Sequence, residues 1–305
     1  MRDDPLAGTM DNPYYDWSPI STRPRLVWPH GARVALGVVL TLESMDWYPP
    51  EGTVLPSVAR RARGAYPRVP DVHTTSQYEY GNRVGVFRVV DVLERHGIRP
   101  VVAMDAAVAA RAPFLVQHLL ERGAEFAGHG ISSETMISEE MPEEVESDLV
   151  RRSLEAVAEA TGQRPRGWIG SEYGESTRTV RLLAEHGVDH VMDWPTDEQP
   201  HLMKVPRGRL VNLPVAVELD DVLTHVDRCI PVGRFTRMVT EHFDRLHHDG
   251  ADTGRLMLLN IHPWVMGQPF RIRHLDAALA HITGHDAVWR ATGTEITDWY
   301  LGQQG

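Results

Sequence analysis

RVVDVLERHGIRPVVAMD, residues 88–105, is the stretch whose reading decides the fold. Its first half places valine and leucine at helical spacing. Gly97 then sits where a helix takes a left-handed residue past its C-terminus, and VVAM follows as a short apolar strand ending in Asp105. The same unit recurs as LVQHLLERGAEFAGHG (115–130) and VRLLAEHGVDHVMDW (180–194), with Gly123 and Gly187 in the place of Gly97. Helix, glycine and strand repeated in this order imply parallel strands joined by crossover helices. Working outward, further strands are expected at 34–42, 167–170, 210–217 and 256–261. Helices are expected at 84–96, 113–122, 142–161, 176–186, 236–248 and 272–285. The expected class is α/β, with about seven parallel strands. An open doubly wound sheet usually carries a glycine-rich phosphate loop after its first strand. Here that strand runs into TLESMDWYPPEG (41–52), so a closed, irregular barrel is preferred.

The chain has 305 residues, and no break in composition divides it. We expect an irregular, proline-containing arm over 1–30 and a single barrel domain over 31–305. A chain of this length buries a large core without metal or disulfide staples. Its one cysteine, Cys229, makes no internal disulfide and cannot supply a zinc finger or an iron–sulfur cluster. The net charge of −11 lacks the basic footprint of a nucleic-acid binder. No signal-peptide core or membrane span is evident in the polar N-terminus or the longest apolar run, 34–42. With the lone thiol, this favours the cytoplasm. The proline-rich arm suggests a homo-oligomer, and the long irregular stretch 43–82 suggests a functional loop.

A parallel barrel gathers its chemistry at the C-terminal ends of the strands. Glu43, with Ser44 and Asp46, follows the first strand, and Asp105 follows the second. His129 ends the third, Trp168 leads to Glu172 from the fourth, and Asp193–Trp194 end the fifth. Glu218 and Asp220 follow the sixth, and His262 ends the last. Carboxylates and imidazoles converging on one rim suit general acid–base addition of water to a carbonyl or amide carbon. No nucleophile elbow is present. The histidine pairs His186/His190, His247/His248 and His281/His285 read as surface groups, favourable near helix C-termini.

The order TLES (41–44), HGISS (129–133), RPRGWIGSE (164–172), MDW (192–194) and LLNIHPW (258–264) resembles the polysaccharide deacetylase (NodB-homology) superfamily over about residues 30–301. YGNRVGVFR (80–88) and ATGTEITDWY (291–300) are similar to its cytoplasmic allantoinase-like branch. The resemblance implies a distorted (β/α)7 barrel and a hydrolase of non-peptide C–N bonds. Such an enzyme acts on a small molecule, a small amide, cyclic amide or ureide, and has neither a nucleic-acid nor a membrane partner. The family's zinc or similar divalent metal rests on an aspartate–histidine–histidine set. By position Glu43 and His129 would take part, while Ser44 and Ser133 stand where ligands are usual, and serine is a poor zinc ligand. The expected catalytic residues are Glu43, His129 and His262. Arg83, Trp168, Glu172, Asp193 and Trp194 are expected to bind substrate, with the two indoles walling a pocket. Two alternatives are a metal-dependent N-deacetylase of an acetylated sugar or amine and a non-catalytic binder that has lost the metal triad.

Overall fold

The structure, a computed structural model, describes residues 10–49 and 70–304. Strands β1 (Val34–Leu42), β2 (Val101–Met104), β3 (Glu125–Gly128), β4 (Gly167–Trp168) and β5 (His190–Val191) lie side by side in chain order. β6 (His201–Met203), β7 (Leu210–Asn212), β8 (Arg255–Ile261) and β9 (Val288–Arg290) complete the sheet, in which β8 flanks β1 and β7 flanks β5. All pairings are parallel except that of β6 with β7, while β9 extends the start of β1. The sheet curls until the chain beyond β7 meets β8, where the Ala216 N–H donates to the Leu258 carbonyl at 2.9 Å. The result is the expected single α/β unit, a distorted barrel with a weakly bonded seam.

The crossover helices cover the outside. They are α1 (Val72–Tyr80), α2 (Val86–Arg95), α3 (Ala106–Arg111), α4 (Pro113–Leu120) and α5 (Glu143–Thr161), followed by α6 (Thr179–Glu185), α7 (Val232–Asp249), α8 (Pro263–Met266), α9 (Ile272–Thr283) and α10 (Gly293–Gly302). Gly97, Gly123 and Gly187 have φ of 61°, 69° and 79°, as the repeated unit requires. No described helix is long and apolar enough to cross a membrane.

Strand alternation divides the core into an inner and an outer layer. Along β1, Leu36, Val38, Leu40 and Leu42 face the helices, with Val89, Leu93, Phe243 and Leu279. Ala35 and Val39 face the barrel interior with Val101, Ala103, Ala127, Ile169, Met192, Val211, Leu256 and Leu258. Trp28 plugs the interior and donates its indole N–H to the Arg255 carbonyl at 2.8 Å. The interior positions continue in register as Thr41 on β1 and Glu43 just after it, Asp105 after β2, His129 after β3, and Asn260 and His262 on and after β8. The periodicity that builds the core therefore also delivers the rim.

Two expectations change. The stretch 43–82 is not irregular throughout. Residues 50–69 lie outside the described residues, but Val72–Tyr80 is helical. Its sequence VHTTSQYEY lacks an apolar stripe, and Asp71 starts it by accepting from the Thr74 amide at 3.2 Å. A wide turn at Gly81–Gly85, with the Val86 amide bonded to the Gly81 carbonyl, joins α1 to α2. The strand expected over 210–217 ends at Asn212, because the following chain turns to meet the seam. Over 10–30 the arm is irregular and packs on the barrel, with Tyr14 and Tyr15 against Trp194 and the Lys204 amide donating to the Tyr14 carbonyl at 2.6 Å. Residues 1–9 lie outside the described residues.

Candidate active site

Glu43 and His129 meet in the barrel mouth, both buried, with His129 Nε2 3.4 Å from Glu43 Oε1. The other imidazole nitrogen, Nδ1, donates to the Ile169 carbonyl at 2.7 Å, which fixes the ring. Asn82, in the wide turn, donates from Nδ2 to the Glu43 carbonyl at 2.7 Å and anchors that backbone. Burial works against the Glu43 carboxylate. The His129 hydrogen bond and the positive charges of His262 and His129 outweigh it, so Glu43 ionises below its ordinary range. The Trp264 indole N–H also favours the carboxylate, although it falls short of a full hydrogen bond. Burial likewise disfavours the His129 cation, but Glu43 and the Ile169 carbonyl raise it above an ordinary histidine.

His262 ends β8 and is held by a residue that sequence reading overlooked. Asp221 Oδ1 accepts from His262 Nδ1 at 2.7 Å, and both its oxygens accept from the His262 amide at 3.0 and 3.1 Å. Burial lowers the imidazole, yet Asp221 and Asp220 more than reverse this, and His262 is pushed up to about 10. Burial leaves Asp221 itself above its usual range despite the His262 charge. At neutral pH the rim thus carries an anionic Glu43 and a cationic His262. Below them, Asn260 receives the Thr41 hydroxyl at 2.6 Å and donates to Asp220 and to the Tyr173 hydroxyl at 2.9 Å each. The signal in the sequence was the Asp220–Asp221 pair facing the last strand, of which only Asp220 was singled out.

The remaining candidates separate. Glu172 lies near the mouth, in a turn where it takes φ 50°, and its charge helps keep the buried Tyr78 phenol well above its usual range, after burial itself and Glu43. Tyr78 stacks on Trp264 with ring centroids 5.2 Å apart, which makes an apolar wall beside His262. Asp193 accepts from the Gly170 amide at 2.8 Å. Its other oxygen and Glu175 Oε2 are both buried without a donor, and burial raises Asp193 to about 6 and Glu175 well above its usual range. One proton shared by the pair relieves this repulsion. Trp194 donates to Glu175 at 3.0 Å and packs under the arm.

Trp168 is a correction. It is fully buried among Leu149, Leu154, Val180 and Leu183, in the layer between sheet and helices. Its neighbour Ile169 points inward, so strand alternation sends Trp168 outward, and it walls no pocket. Arg83 is exposed and makes no hydrogen bond to the described residues, whereas the adjacent Asn82 turns to the site. The arginines of RPRGW also point elsewhere, Arg166 to Asp189 and Asp298 at 2.6 Å each and Arg164 to the His186 carbonyl.

The residues present do not fit a divalent metal bound through the family's ligand set. The Ser44 hydroxyl donates to Asp105 at 2.8 Å, and the Ser133 hydroxyl donates to the Ser44 carbonyl at 2.8 Å. Only one imidazole nitrogen and one carboxylate remain, and among the described residues Glu43 and His129 belong to no group of three clustered ligand atoms. Asp220, Asp221 and His262 do cluster within 4.8 Å. However, Asp221 is committed to His262, and Asp220 to Tyr173, Asn260 and the amides of Val222 and Leu223.

A curled parallel sheet with a buried carboxylate and a buried cationic imidazole on its C-terminal rim is the frame of a hydrolytic enzyme. Comparison with known proteins specifies which kind. The family model described as polysaccharide deacetylase matches residues 70–191. The Schizosaccharomyces pombe protein named "Putative polysaccharide deacetylase" is 23% identical over 308 residues, covering 91% of this chain and 92% of its own. The solved structure titled "probable Polysaccharide deacetylase from Pseudomonas aeruginosa PAO1" is 25% identical with a TM-score of 0.80, and PuuE allantoinase is 23% identical with a TM-score of 0.83. Each covers 92% of this chain and 95% of its own. The chain is thus similar to polysaccharide deacetylases, through the family model over residues 70–191 and through relatives over nearly its whole length, and this similarity indicates a hydrolase of carbon–nitrogen bonds.

Proposed function

We propose that the protein hydrolyses a non-peptide C–N bond in a small amide, cyclic amide or ureide, with Glu43 activating the water directly and His262 supplying the acid. The observation that carries this reading is the opposed charge state of the two buried groups, a carboxylate held ionised and an imidazole held protonated. Such a pair is matched to base and acid roles in one step. Glu43 takes a proton from water as its oxygen adds to the carbonyl carbon. The oxyanion forms within reach of the His262 cation. His262 then protonates the leaving nitrogen as the C–N bond breaks, and exchange with solvent resets both groups. His129 holds Glu43 in place, and the Tyr78–Trp264 stack provides an apolar wall for a small substrate.

The test is turnover of a panel of small amides, imides and cyclic ureides followed by NMR. Glu43→Gln and His262→Ala are each expected to lower turnover by at least about 100-fold. Full activity in both variants would overturn the assignment of roles. The names of the relatives favour a second reading, metal-dependent N-deacetylation. Stoichiometric zinc with activity lost on chelation would select it, whereas undiminished turnover after exhaustive dialysis against chelator supports direct activation.

A further inference from the structure

His281 and His285 stand four residues apart across Gly284 and read in sequence as a surface pair. The structure adds a second helix to them. Asp244 and His247, in the last turns of α7, face the end of α9. His281 Nε2 lies 2.6 Å from Asp244 Oδ1, and the ligand atoms of Asp244, His281 and His285 all fall within 4.8 Å of one another. The ring centroids of His281 and His285 are 4.8 Å apart, and those of His247 and His285 are 5.5 Å apart.

Two of the imidazoles are oriented as metal ligands usually are. His285 Nδ1 lies 2.8 Å from the His281 carbonyl, and His247 Nε2 lies 3.0 Å from the Asp286 carbonyl. A carbonyl cannot donate, so each of these nitrogens carries the proton and the opposite nitrogen is left with a bare lone pair. A backbone acceptor that fixes the tautomer in this way is the usual outer partner of a ligating histidine. The Phe243 ring packs against all three imidazoles, with centroids 5.2–6.0 Å away, and backs the cluster on its inner side.

We infer that Asp244, His281 and His285, with His247 as a fourth ligand, form a surface site for a borderline divalent cation such as zinc, nickel or copper. Imidazole with one carboxylate selects these ions over calcium and magnesium, which take all-oxygen sets. Zinc–nitrogen bonds of about 2.0–2.1 Å require the ligand atoms to close to roughly 3.4 Å. The exposed His285 and the half-buried His281 and His247 reach this by small rotamer adjustments. Helices α7 and α9 lead into β8 and β9, so the cluster lies at the end of the barrel opposite the rim. A bound ion would pin the two helices together there, independently of the reaction proposed for Glu43 and His262.

The test uses untagged full-length protein freed of metal, titrated with zinc by calorimetry and with cobalt by visible absorption. One equivalent is expected to bind and to give the intense d–d bands of a tetrahedral site. His281→Ala/His285→Ala and Asp244→Asn are each expected to weaken binding by at least about 10-fold. Added zinc is expected to raise the unfolding temperature of the wild type but not of the double variant. The metal-free unfolding temperatures of all three proteins show whether the variants fold. Turnover on any confirmed substrate stays unchanged in them, while His262→Ala retains the cobalt spectrum. Failure of the wild type to bind zinc below millimolar concentration would overturn the site, as would a cobalt spectrum that survives in the double variant.

Discussion

Replacing Asp221 with asparagine tests the acid–base reading at its most exposed step. Asp221 is fully buried and accepts from both the His262 side chain and its amide. Its negative charge, with that of Asp220, lifts His262 from an ordinary 6.5 to about 10. At 1.36 kcal/mol per pKa unit, that rise is worth ~5 kcal/mol in favour of the imidazolium. Asparagine keeps an acceptor for the Nδ1 proton but removes the main charge. Burial then acts against only the charges of Asp220 and Glu43, so in the variant His262 titrates well below its wild-type value of about 10. A full return to the ordinary 6.5 would leave about 3% protonated at pH 8, so the loss of turnover there reaches up to about 30-fold. The loss is conditional on pH. The alkaline limb of kcat/KM moves from near 10 in the wild type to lower pH, and activity partly returns on acidification. The imidazole Cε1 resonance, followed by NMR, reports the same shift without any substrate. A wild-type His262 titrating near 6.5 would refute the reasoning, as would a variant that is slow at every pH with its alkaline limb unmoved.

The same groups govern stability against pH. His262 and Asp105 both hold protons in the fold that they release more readily when unfolded. The stability from His262 is therefore complete below about 6.5 and is lost as pH rises towards about 10. Asp105, raised by burial from 3.8 to about 7 against the pull of the Val108 and Ser44 donors, subtracts stability as pH rises through that window. Urea midpoints should fall from pH 6 to pH 9.5 in the wild type and fall less in Asp221→Asn. Asp105→Ala removes the cap of α3 and strands the Ser44 amide, the Ser44 hydroxyl and the Val108 amide that donate to it, so a loss of about 3 kcal/mol is expected by urea denaturation. At Gly85 an added Cβ would lie 2.2 Å from the Pro263 carbonyl oxygen. Gly85→Ala must push α8 and His262 away from the wide turn, with an expected loss of at least about 2 kcal/mol and a drop in turnover. A Gly85→Ala protein with unchanged stability and rate would show that this close approach has no role.

The alternation of β1 explains what sequence could and could not deliver. Helix–glycine–strand units are local signals, and they gave the parallel order correctly because each glycine ends its own helix. Glu43, His129 and His262 were legible for the same reason, since each ends a strand. Trp168 was misplaced because proximity to a strand end was weighed and the face was not. Ile169 and Trp168 are neighbours in sequence, but one packs in the barrel and the other against α5. Asp221, Asn82 and Glu175 were invisible for a different reason. Each acts on a residue 18 or more positions away in the chain, so only the folded sheet brings them together, as it brings Asp221 to His262, 41 residues away.

The two serines show how one change at the rim redirects another. With Ser44 bonded to Asp105 and Ser133 to the Ser44 carbonyl, the hydroxyls tie the loops after β1 and β3 together and cease to face the mouth. Glu43 is then left with a histidine rather than competing ligands. Its charge is balanced by His129 beside it and by His262 on the next strand. His129 is raised and Glu43 lowered, each by the other, and their 3.4 Å contact orients the carboxylate. His129→Gln therefore separates direct from metal-assisted activation. If His129 only steadies and charges Glu43, glutamine keeps a donor at the carboxylate, and the variant should retain measurable turnover with its acidic limb shifted upward, as the lost positive charge no longer holds Glu43 ionised. Abolition of activity at every pH, with rescue by added zinc, would instead place a cation between them.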